Sequence, residues 1–410
     1  MIAETFFFVY NLDNSWFNVN MIILGIETSC DDTGVSVIKL HSKKSKKKAL
    51  SFSDFDILAD EISSQTEIHT TYGGVFPAMA KREHQKALVP LLIKALKKAN
   101  LLKENKKGLD NKKILRVQKI LERNPEIFNT LKEFFKKYST PEINEIAVTF
   151  GPGLEPCLYT GVNLSKALSS YWDIPVSGVN HIEAHILSNW LSPIEKVEFP
   201  AVALVVSGGN TQIIEMHEIG KYKIIGETRD DAAGECLDKT ARILGLPYPG
   251  GPIIAKRAKE FKKAKYNISL PRPMLHDKNY DFSFSGLKTA VLYDFKKRTE
   301  KERADKDYIN EMAHEIQNAV INVLTFKTMK AARELKAKSV IIGGGVSANK
   351  ELGKEFKKQC KKEKLNCIVP LLKFSGDNAS MIALTALISP NVKKTTWQKL
   401  KPNSNLKINV

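Results

Sequence analysis

Hydrophobic and polar positions follow two alternating patterns along this chain. Short apolar runs that end in glycine or polar turns predict strands, and longer stretches with apolar residues every three or four positions predict helices. The segment Ile22–Leu40 has the pattern strand, polar turn, strand, and the same pattern returns at Ala201–Met216. Elsewhere strand patterns alternate with helical ones, which indicates an α/β protein built in layers.

The repeated opening predicts two similar lobes. Residues 21–196 would form an N-terminal lobe with a helical insert at about 101–142, and residues 197–390 a C-terminal lobe. The last helices of the second lobe are candidates for packing back on the first. Residues 1–20 are predicted to be a poorly ordered extension or a misplaced start, and residues 391–410 a basic tail.

Polar and glycine turns at strand ends of both lobes would line a nucleotide cleft between them. This arrangement is typical of actin, Hsp70 and the sugar kinases, the ASKHA fold with its RNase H-like lobes. Three glycine turns support such a cleft, because glycine lets backbone N–H groups approach a phosphate closely. None of them matches a P-loop or a dinucleotide-binding fingerprint. The turns are "VVSGGN" (205–210), "PYPGGP" (247–252) and "IIGGGVSAN" (341–349).

Composition narrows the class of protein. The chain has 410 residues, 43% hydrophobic and 26% charged, which are globular values. No apolar run approaches the roughly 20 residues that span a bilayer, so a soluble protein without a membrane partner is predicted. Five scattered cysteines favour a reduced, cytoplasmic setting. The formal charge of +18 suits a polyanionic partner such as nucleic acid.

The stretch "VNHIEAHIL" (179–187) carries the most specific chemistry. Asn180 is a good helix N-cap, with Glu183 three residues on as in a capping box. His181 and His185 would then share one helix face, where two imidazoles can converge on one metal ion. The order H-x-E-x-H weakens a zinc-peptidase interpretation, which needs glutamate beside the first histidine. Spacing leaves the third ligand open among the carboxylates Asp230, Asp231, Glu235, Asp238 and Asp377.

At these motifs the sequence resembles the TsaD family, the tRNA N6-adenosine threonylcarbamoyltransferases. The resemblance covers Ile22–Leu40, Tyr72–Pro90 and about Ile143–Leu387. Several motifs occur in order, so the match is specific. They are "ILGIETSCDDTGVSV", "GPGL", "HIEAH", "VSGGNTQ", "DDAAGECLDKTARILGLPYPGGP", "FSFSGLKTAV", "GGGVSAN" and "FSGDNASMIA".

The resemblance implies transfer of a threonylcarbamoyl group from threonylcarbamoyl-adenylate to N6 of adenosine 37 in tRNAs reading ANN codons. It implies one divalent metal ion, Fe(II) in preference to Zn(II), bound by His181, His185 and Asp377. It also implies that Glu27 is a candidate catalytic residue that orients the donor. It further implies a TsaB-like paralogue and a TsaE-like ATPase as partners, although some relatives work alone. The adenylate would be bound by Val205, Val206, Ser207, Gly208, Gly209, Asp238, Gly251 and Asn349.

Some positions depart from the family pattern. Asn210 stands where histidine is expected, and "GPGLEPCLYTG" differs from the usual run, whereas His84 is retained. The insert and the lysine loop near 43–48 lie outside the pattern, and the insert is predicted to aid tRNA or partner binding. Three alternatives stay open: an ATP-dependent kinase or ATPase of the same fold, a metallopeptidase, and a non-catalytic partner subunit.

Overall fold

The computed structural model describes residues 21–41, 54–193 and 197–408. The predicted extension 1–20, the lysine loop 43–48 and the last two residues of the tail lie outside the described residues. Within them the chain forms ten strands, distributed over two five-stranded sheets. The strands are β1 Met21–Glu27, β2 Asp32–Leu40, β3 Phe55–Ser64, β4 Glu145–Gly151, β5 Val176–Asn180, β6 Ala201–Val206, β7 Thr211–Glu218, β8 Lys221–Glu227, β9 Ser339–Gly343 and β10 Asn366–Ile368.

Helices separate most of the strands, as the alternating pattern predicts. They are α1 Thr66–Thr70, α2 Pro77–Lys98, α3 Asn111–Ile120, α4 Pro125–Lys137, α5 Glu155–Trp172, α6 His181–Leu187, α7 Ala233–Ile243, α8 Gly250–Glu260, α9 Ser285–Lys297, α10 Glu300–Arg303, α11 Lys306–Glu334, α12 Lys350–Glu363 and α13 Ala379–Ile388. No described helix is both long enough and apolar enough to cross a membrane.

The chain divides into two compact units that share one sheet topology. The first contains the described parts of Met1–Gln65, Val75–Pro193 and Asp377–Ile408; the second contains Thr66–Gly74 and the described part of Ile194–Gly376. The sheet orders are β3-β2-β1-β4-β5 and β8-β7-β6-β9-β10. In each sheet the first three strands along the chain pair antiparallel and the last two join in parallel. The repeated strand–turn–strand signature is therefore confirmed, and with it the α/β fold class.

Helix α13 packs directly on the sheet of the first unit. A Cβ atom at Gly25 of β1 would lie 2.3 Å from the Ala379 carbonyl oxygen, and one at Gly34 of β2 would lie 2.9 Å from the Ala379 nitrogen. Glycine at both positions is what allows the backbone of the helix to approach the strands. The side chain of Asn378 caps this helix by accepting from Met381 N at 2.9 Å. The neighbouring residue Asp377 is thereby held at a fixed place beside β1.

The C-terminal segment after α13 runs along the edge of the same sheet. Thr395 exchanges backbone hydrogen bonds with Val176 of the edge strand β5, at 2.8 and 3.2 Å. Lys394 forms an ion pair with the buried carboxylate of Glu145 at 3.2 Å. Covering an edge strand in this way removes a row of unpaired backbone groups from solvent.

The predicted insert contains two helices, α3 and α4, in the first unit. Helix α4 buries its apolar face, and the ring of Phe135 stacks on Tyr171 of α5 with centroids 3.7 Å apart. Ile114 and Val117 of α3 are buried as well. The insert is therefore part of the packed core of this unit on one face and polar on the other.

Candidate metal centre and nucleotide-binding turns

The two histidines of the "HIEAH" motif are held by a helix that begins directly at the end of strand β5. Asn180 is confirmed as the N-cap of α6, since its side-chain oxygen accepts from Ile182 N at 2.9 Å and Glu183 N at 3.2 Å. The Glu183 carboxylate is turned toward Ser389, whose hydroxyl donates to it at 2.6 Å. His181 and His185 are both buried on the same helix face, with ring centroids 4.5 Å apart.

Among the five candidate carboxylates, Asp377 is the one that meets this histidine pair. Its Oδ1 lies 3.1 Å from His185 Nε2 and 3.6 Å from His181 Nε2. The ligand atoms of these three residues all lie within 4.8 Å of one another. The other four belong to the second unit, where Asp231 and Glu235 pair with Lys239, Asp230 accepts from Phe284 N and Asp238 accepts from Gly250 N.

These separations fit a metal ion with nitrogen and oxygen ligands. Metal–ligand bonds of about 2.1 Å place neighbouring ligand atoms about 3.0 to 3.4 Å apart. In the described part of the chain His185 Nδ1 has no hydrogen-bond partner although the ring is fully buried, and Nε2 faces the Asp377 carboxylate at 3.1 Å. A buried imidazole nitrogen and a carboxylate oxygen that face each other, with a second histidine beside them, are ligand types that one metal ion can bind together.

A second carboxylate orients the first histidine. Glu27, at the end of β1, is fully buried, and its Oε2 lies 3.1 Å from His181 Nδ1. The same oxygen accepts from the Thr149 hydroxyl at 2.6 Å, and Oε1 accepts from Ser29 N at 2.5 Å. A carboxylate on the far nitrogen of a metal-binding histidine fixes the ring tautomer and orientation. Glu27 is thus placed to orient His181, and the donor-orienting role that the family resemblance implies for it stays a prediction.

Opposing charges set the protonation of the cluster. Burial lowers the pKa of His181, but Glu27 and Asp377 outweigh burial and raise this pKa to about 9. Burial and the neighbouring His181 lower the pKa of His185. Burial raises the pKa of Asp377, but the two histidines outweigh it and hold this pKa at about 2. The opposite charges therefore favour the protonated form of His181 and the ionised form of Asp377.

Negative charge also accumulates in the β1–β2 turn. Burial, followed by the charges of Asp377 and Asp31, raises the pKa of Asp32 to about 7. The buried Oδ1 of Asp32 has no hydrogen-bond partner in the described ranges. Carboxylates crowded around a common point favour a cation among them, which agrees with the ligand geometry.

A third histidine, His84 of α2, anchors this turn. It is fully buried; its Nδ1 lies 2.7 Å from the Thr33 hydroxyl, and its Nε2 lies 3.0 Å from the Cys30 carbonyl oxygen. Nε2 is therefore the protonated nitrogen and donates to Cys30. His84 stands where the family pattern has a histidine, but the sequence alone does not show which residues it contacts.

Replacing Glu27 by glutamine is expected to weaken metal binding about 10- to 100-fold, because the neutral amide no longer stabilises the His181 Nδ1–H. The measurement is the metal dissociation constant by chelator competition. Glu145→Gln is the matched control, a second buried glutamate of the same sheet that accepts from Ser177. Equal affinities for the Glu27→Gln and Glu145→Gln variants would contradict the positioning role.

In the second unit, the turn after β6 has the features of a phosphate-binding loop. Val205 and Val206 are fully buried, so only their backbone groups can meet a ligand. Ser207 closes the turn, with its N–H donating to Asn210 O at 2.8 Å. A Cβ atom added at Gly208 or Gly209 would meet no described atom within 4 Å, so both glycines lie beside open space.

Two glycines outside the predicted site set pack against this turn. A Cβ atom at Gly234 would lie 2.6 Å from the Ser207 carbonyl oxygen. Gly344 has φ +89°, and a Cβ atom there would lie 2.4 Å from the Val206 carbonyl oxygen. Any side chain at either position would displace the turn. Both residues stand in the quoted motifs, but their role depends on contacts between segments far apart in the sequence.

The remaining predicted adenylate residues also lie in the second unit. Asp238 accepts from Gly250 N at 2.7 Å. A Cβ atom added at the adjacent Gly251 would meet only Leu237, at 3.8 Å, so this glycine has space beside it. Asn349 is the N-cap of α12: its Oδ1 accepts two backbone N–H groups, and its Nδ2 donates to Gln317 Oε1 at 2.9 Å. Its oxygen is therefore committed to the helix, and a ligand can meet only its remaining amide hydrogen.

Comparisons with known proteins agree with these motifs. The family model described as "TsaD: tRNA N6-adenosine threonylcarbamoyltransferase" matches residues 56–108 and 124–384. The prediction that the whole insert at about 101–142 lies outside the family pattern is therefore wrong, since within it only residues 109–123 are unmatched. A protein named tRNA N6-adenosine threonylcarbamoyltransferase from Bacillus thuringiensis (strain Al Hakam) is 39% identical over 390 residues, 95% of this chain and 97% of that protein. Its namesake from Bacillus subtilis (strain 168) is 39% identical over 373 residues, 90% of this chain and 91% of that protein.

Similar solved structures are more distant. T. kodakarensis HypF is 13% identical with a TM-score of 0.48, covering 94% of this chain and 49% of that one. YeaZ from Pseudomonas aeruginosa is 11% identical with a TM-score of 0.25, covering 50% of this chain and 66% of that one. The family match and the relatives that align along nearly their whole length carry the assignment. This chain belongs to the TsaD family of tRNA N6-adenosine threonylcarbamoyltransferases.

Proposed function

We propose that this protein transfers the threonylcarbamoyl group of threonylcarbamoyl-adenylate to N6 of adenosine 37 in tRNAs that read ANN codons. The observation that carries the proposal is the convergence of His181, His185 and Asp377 in a chain of this family. In the reaction a bond forms between N6 and the carbamoyl carbon, the bond from that carbon to the AMP phosphate oxygen breaks, and N6 loses one proton. An exocyclic adenine amine is a weak nucleophile, so the donor has to be activated.

The three clustered residues would hold one divalent metal. Two histidines with one carboxylate are typical of Fe(II) sites, which favours Fe(II), with Zn(II) as the alternative. Such an ion, when bound, supplies Lewis acidity that polarises a carbonyl and stabilises a leaving phosphate. Metal analysis of the protein purified from its natural source, by mass spectrometry of the elements, distinguishes the two ions.

The chain's own residues would divide the other tasks. Glu27 holds His181 in one tautomer, and His84 holds the turn that carries Ser29. In the second unit the backbone of Ser207, Gly208 and Gly209 would bind the adenylate phosphate. Asp238 is proposed to bind the ribose, Gly251 to give the nucleoside room, and the amide hydrogen of Asn349 to meet the nucleoside. The backbone of Val205 and Val206 completes that binding turn.

Two alternatives make different predictions. A peptidase needs a general base, but Glu183 is buried and bound to Ser389. A kinase or ATPase of the same fold would turn over ATP without tRNA.

We also propose that a TsaB-like paralogue and a TsaE-like ATPase assist the reaction, since bacterial members of the family usually work with both.

The test is incubation of the purified protein with threonylcarbamoyl-adenylate and an unmodified ANN-decoding tRNA transcript, with and without TsaB and TsaE. Nucleoside mass spectrometry of the digested tRNA should detect N6-threonylcarbamoyladenosine (t6A). Product without the added proteins would show that this chain acts alone. No product under any condition, with ATP hydrolysed instead, would overturn the proposal in favour of the ATPase.

A further inference from the structure

We propose that helix α3 is an accessory tRNA-binding element that contacts the phosphate backbone away from the modified adenosine. The proposal rests on the function proposed above, because tRNA is its substrate there. Helix α3 lies outside the ranges 56–108 and 124–384 that the family model matches. Its function is therefore argued from its own charge and packing.

The helix is cationic and has no acidic residue. Its ten residues, "NKKILRVQKI", include four cations, Lys112, Lys113, Arg116 and Lys119. Arg123 follows in the next turn; the acids nearby are the N-cap Asp110, which accepts from Lys113 N at 3.1 Å, and the exposed Glu122.

Two of the cations fasten the helix to α5. Lys113 Nζ donates to the Tyr171 carbonyl oxygen at 2.9 Å and pairs with Asp173 at 2.5 Å. The Arg116 guanidinium lies 3.4 Å from the Ser170 carbonyl oxygen. These are carbonyls of the last turn of α5, where cations also complement the helix dipole. The helix is therefore a fixed platform on the protein.

The other cations point to solvent. Lys112, Lys119 and Arg123 are exposed, whereas Ile114 and Val117 on the opposite side are buried. Leu115 lies between the exposed lysines with 66% of its surface accessible. Lys112 and Lys119 lie about 10 Å apart along a helix that has no acidic residue of its own, and Arg123 follows after its end, so the cations suit the phosphates of a nucleic-acid strand. An apolar residue between the two lysines suits contact with ribose.

The distance of helix α3 from the metal centre decides which substrate the helix can contact. Helix α5 begins beside the metal centre, where Leu154 N donates to the Ser29 carbonyl oxygen at 2.8 Å. The chain advances roughly 24 Å from Glu155 to Tyr171, where α3 docks, at 1.5 Å per residue. An adenylate bound near the metal cannot extend that far, but a tRNA stem can. The helix should therefore affect tRNA binding alone.

The test compares the wild type with a triple variant, Lys112→Ser, Lys119→Ser and Arg123→Ser. We expect the Kd and the KM for tRNA to rise about tenfold, and the slope of log K against log salt to fall by about 2 to 3. The kcat and the KM for threonylcarbamoyl-adenylate should stay unchanged. The control removes the same charge from α12 of the second unit, by Lys357→Ser, Lys361→Ser and Lys362→Ser, and should change tRNA affinity less than twofold.

An unchanged tRNA Kd in the α3 variant would overturn the inference and leave an acidic protein as the remaining partner for this face. An equal loss in the α12 control would overturn it too, because net charge would then explain the effect. A wild type that binds tRNA but forms no t6A removes the proposed function, and a weaker Kd of the α3 variant still supports the RNA surface. Thermal unfolding of both variants confirms that they fold.

Discussion

Replacing His185 by alanine is expected to abolish stoichiometric metal binding and to lower t6A formation at least 100-fold. The ring supplies one of three clustered ligands, and its Nε2 lies 3.1 Å from Asp377. Two remaining ligands bind a divalent ion far more weakly, and the polarisation of the acyl carbonyl is lost with the ion. The measurements are metal content by elemental mass spectrometry and initial rates of t6A formation at saturating tRNA.

The substitution should leave the protein folded, because Asp377, which lies 3.1 Å from His185 Nε2, keeps His181 as a second charged neighbour at 3.6 Å. Thermal unfolding of the metal-free variant separates a site effect from a folding effect. His217→Ala is the matched control, since that histidine of β7 has an exposed side chain. A folded His185→Ala variant that retains full metal content would refute the assignment of this cluster as the metal centre.

Gly25→Ala is expected to destabilise the first unit by about 3 kcal/mol or more. The new Cβ atom would lie 2.3 Å from the carbonyl oxygen of Ala379 and 3.0 Å from the Ala383 Cβ. Backbone atoms cannot move aside as a side chain can, so α13 has to shift off the sheet. Because Asp377 directly precedes that helix, the variant should lose metal affinity together with stability.

Urea unfolding and metal titration measure the two effects on the same sample. Gly353→Ala offers a contrasting glycine, within helix α12, where an added Cβ meets only Val369 at 3.8 Å. That variant should gain about 0.5 to 1 kcal/mol, because alanine loses less backbone entropy in a helix. A Gly25→Ala protein as stable as the wild type would show that α13 does not need this close approach.

The sequence predicts the local elements well and the long-range contacts poorly. The strand–turn–strand repeat and the i, i+4 histidines follow from the period of apolar positions and from Asn180 as a cap. The choice of Asp377 from five carboxylates does not follow from spacing, since it depends on α13 packing against Gly25. The resemblance to the family motifs identified Asp377, and the packing of α13 on the sheet explains why Asp377 lies beside the two histidines.

The contacts of Glu27 are a second example of long-range packing that the sequence pattern does not predict. The family resemblance implies that this residue orients the donor, and that role stays a prediction. The structure buries it among His181, Thr149 and Ser29, residues that three separate segments bring together. Hydrogen-bond partners of a buried carboxylate are set by tertiary packing, which no local pattern encodes.

The order in which the chain builds the first unit has a consequence for its biosynthesis. The unit is interrupted after Pro193 and resumes only at Asp377, the residue that joins the two histidines. When both histidines have left the ribosome, Asp377 has not yet been synthesised, because residues 194–376 of the second unit are translated first. Loading of the proposed metal would therefore wait until Asp377 has been translated, and a chain cut short before Asp377 would carry an incomplete centre even with both sheets folded.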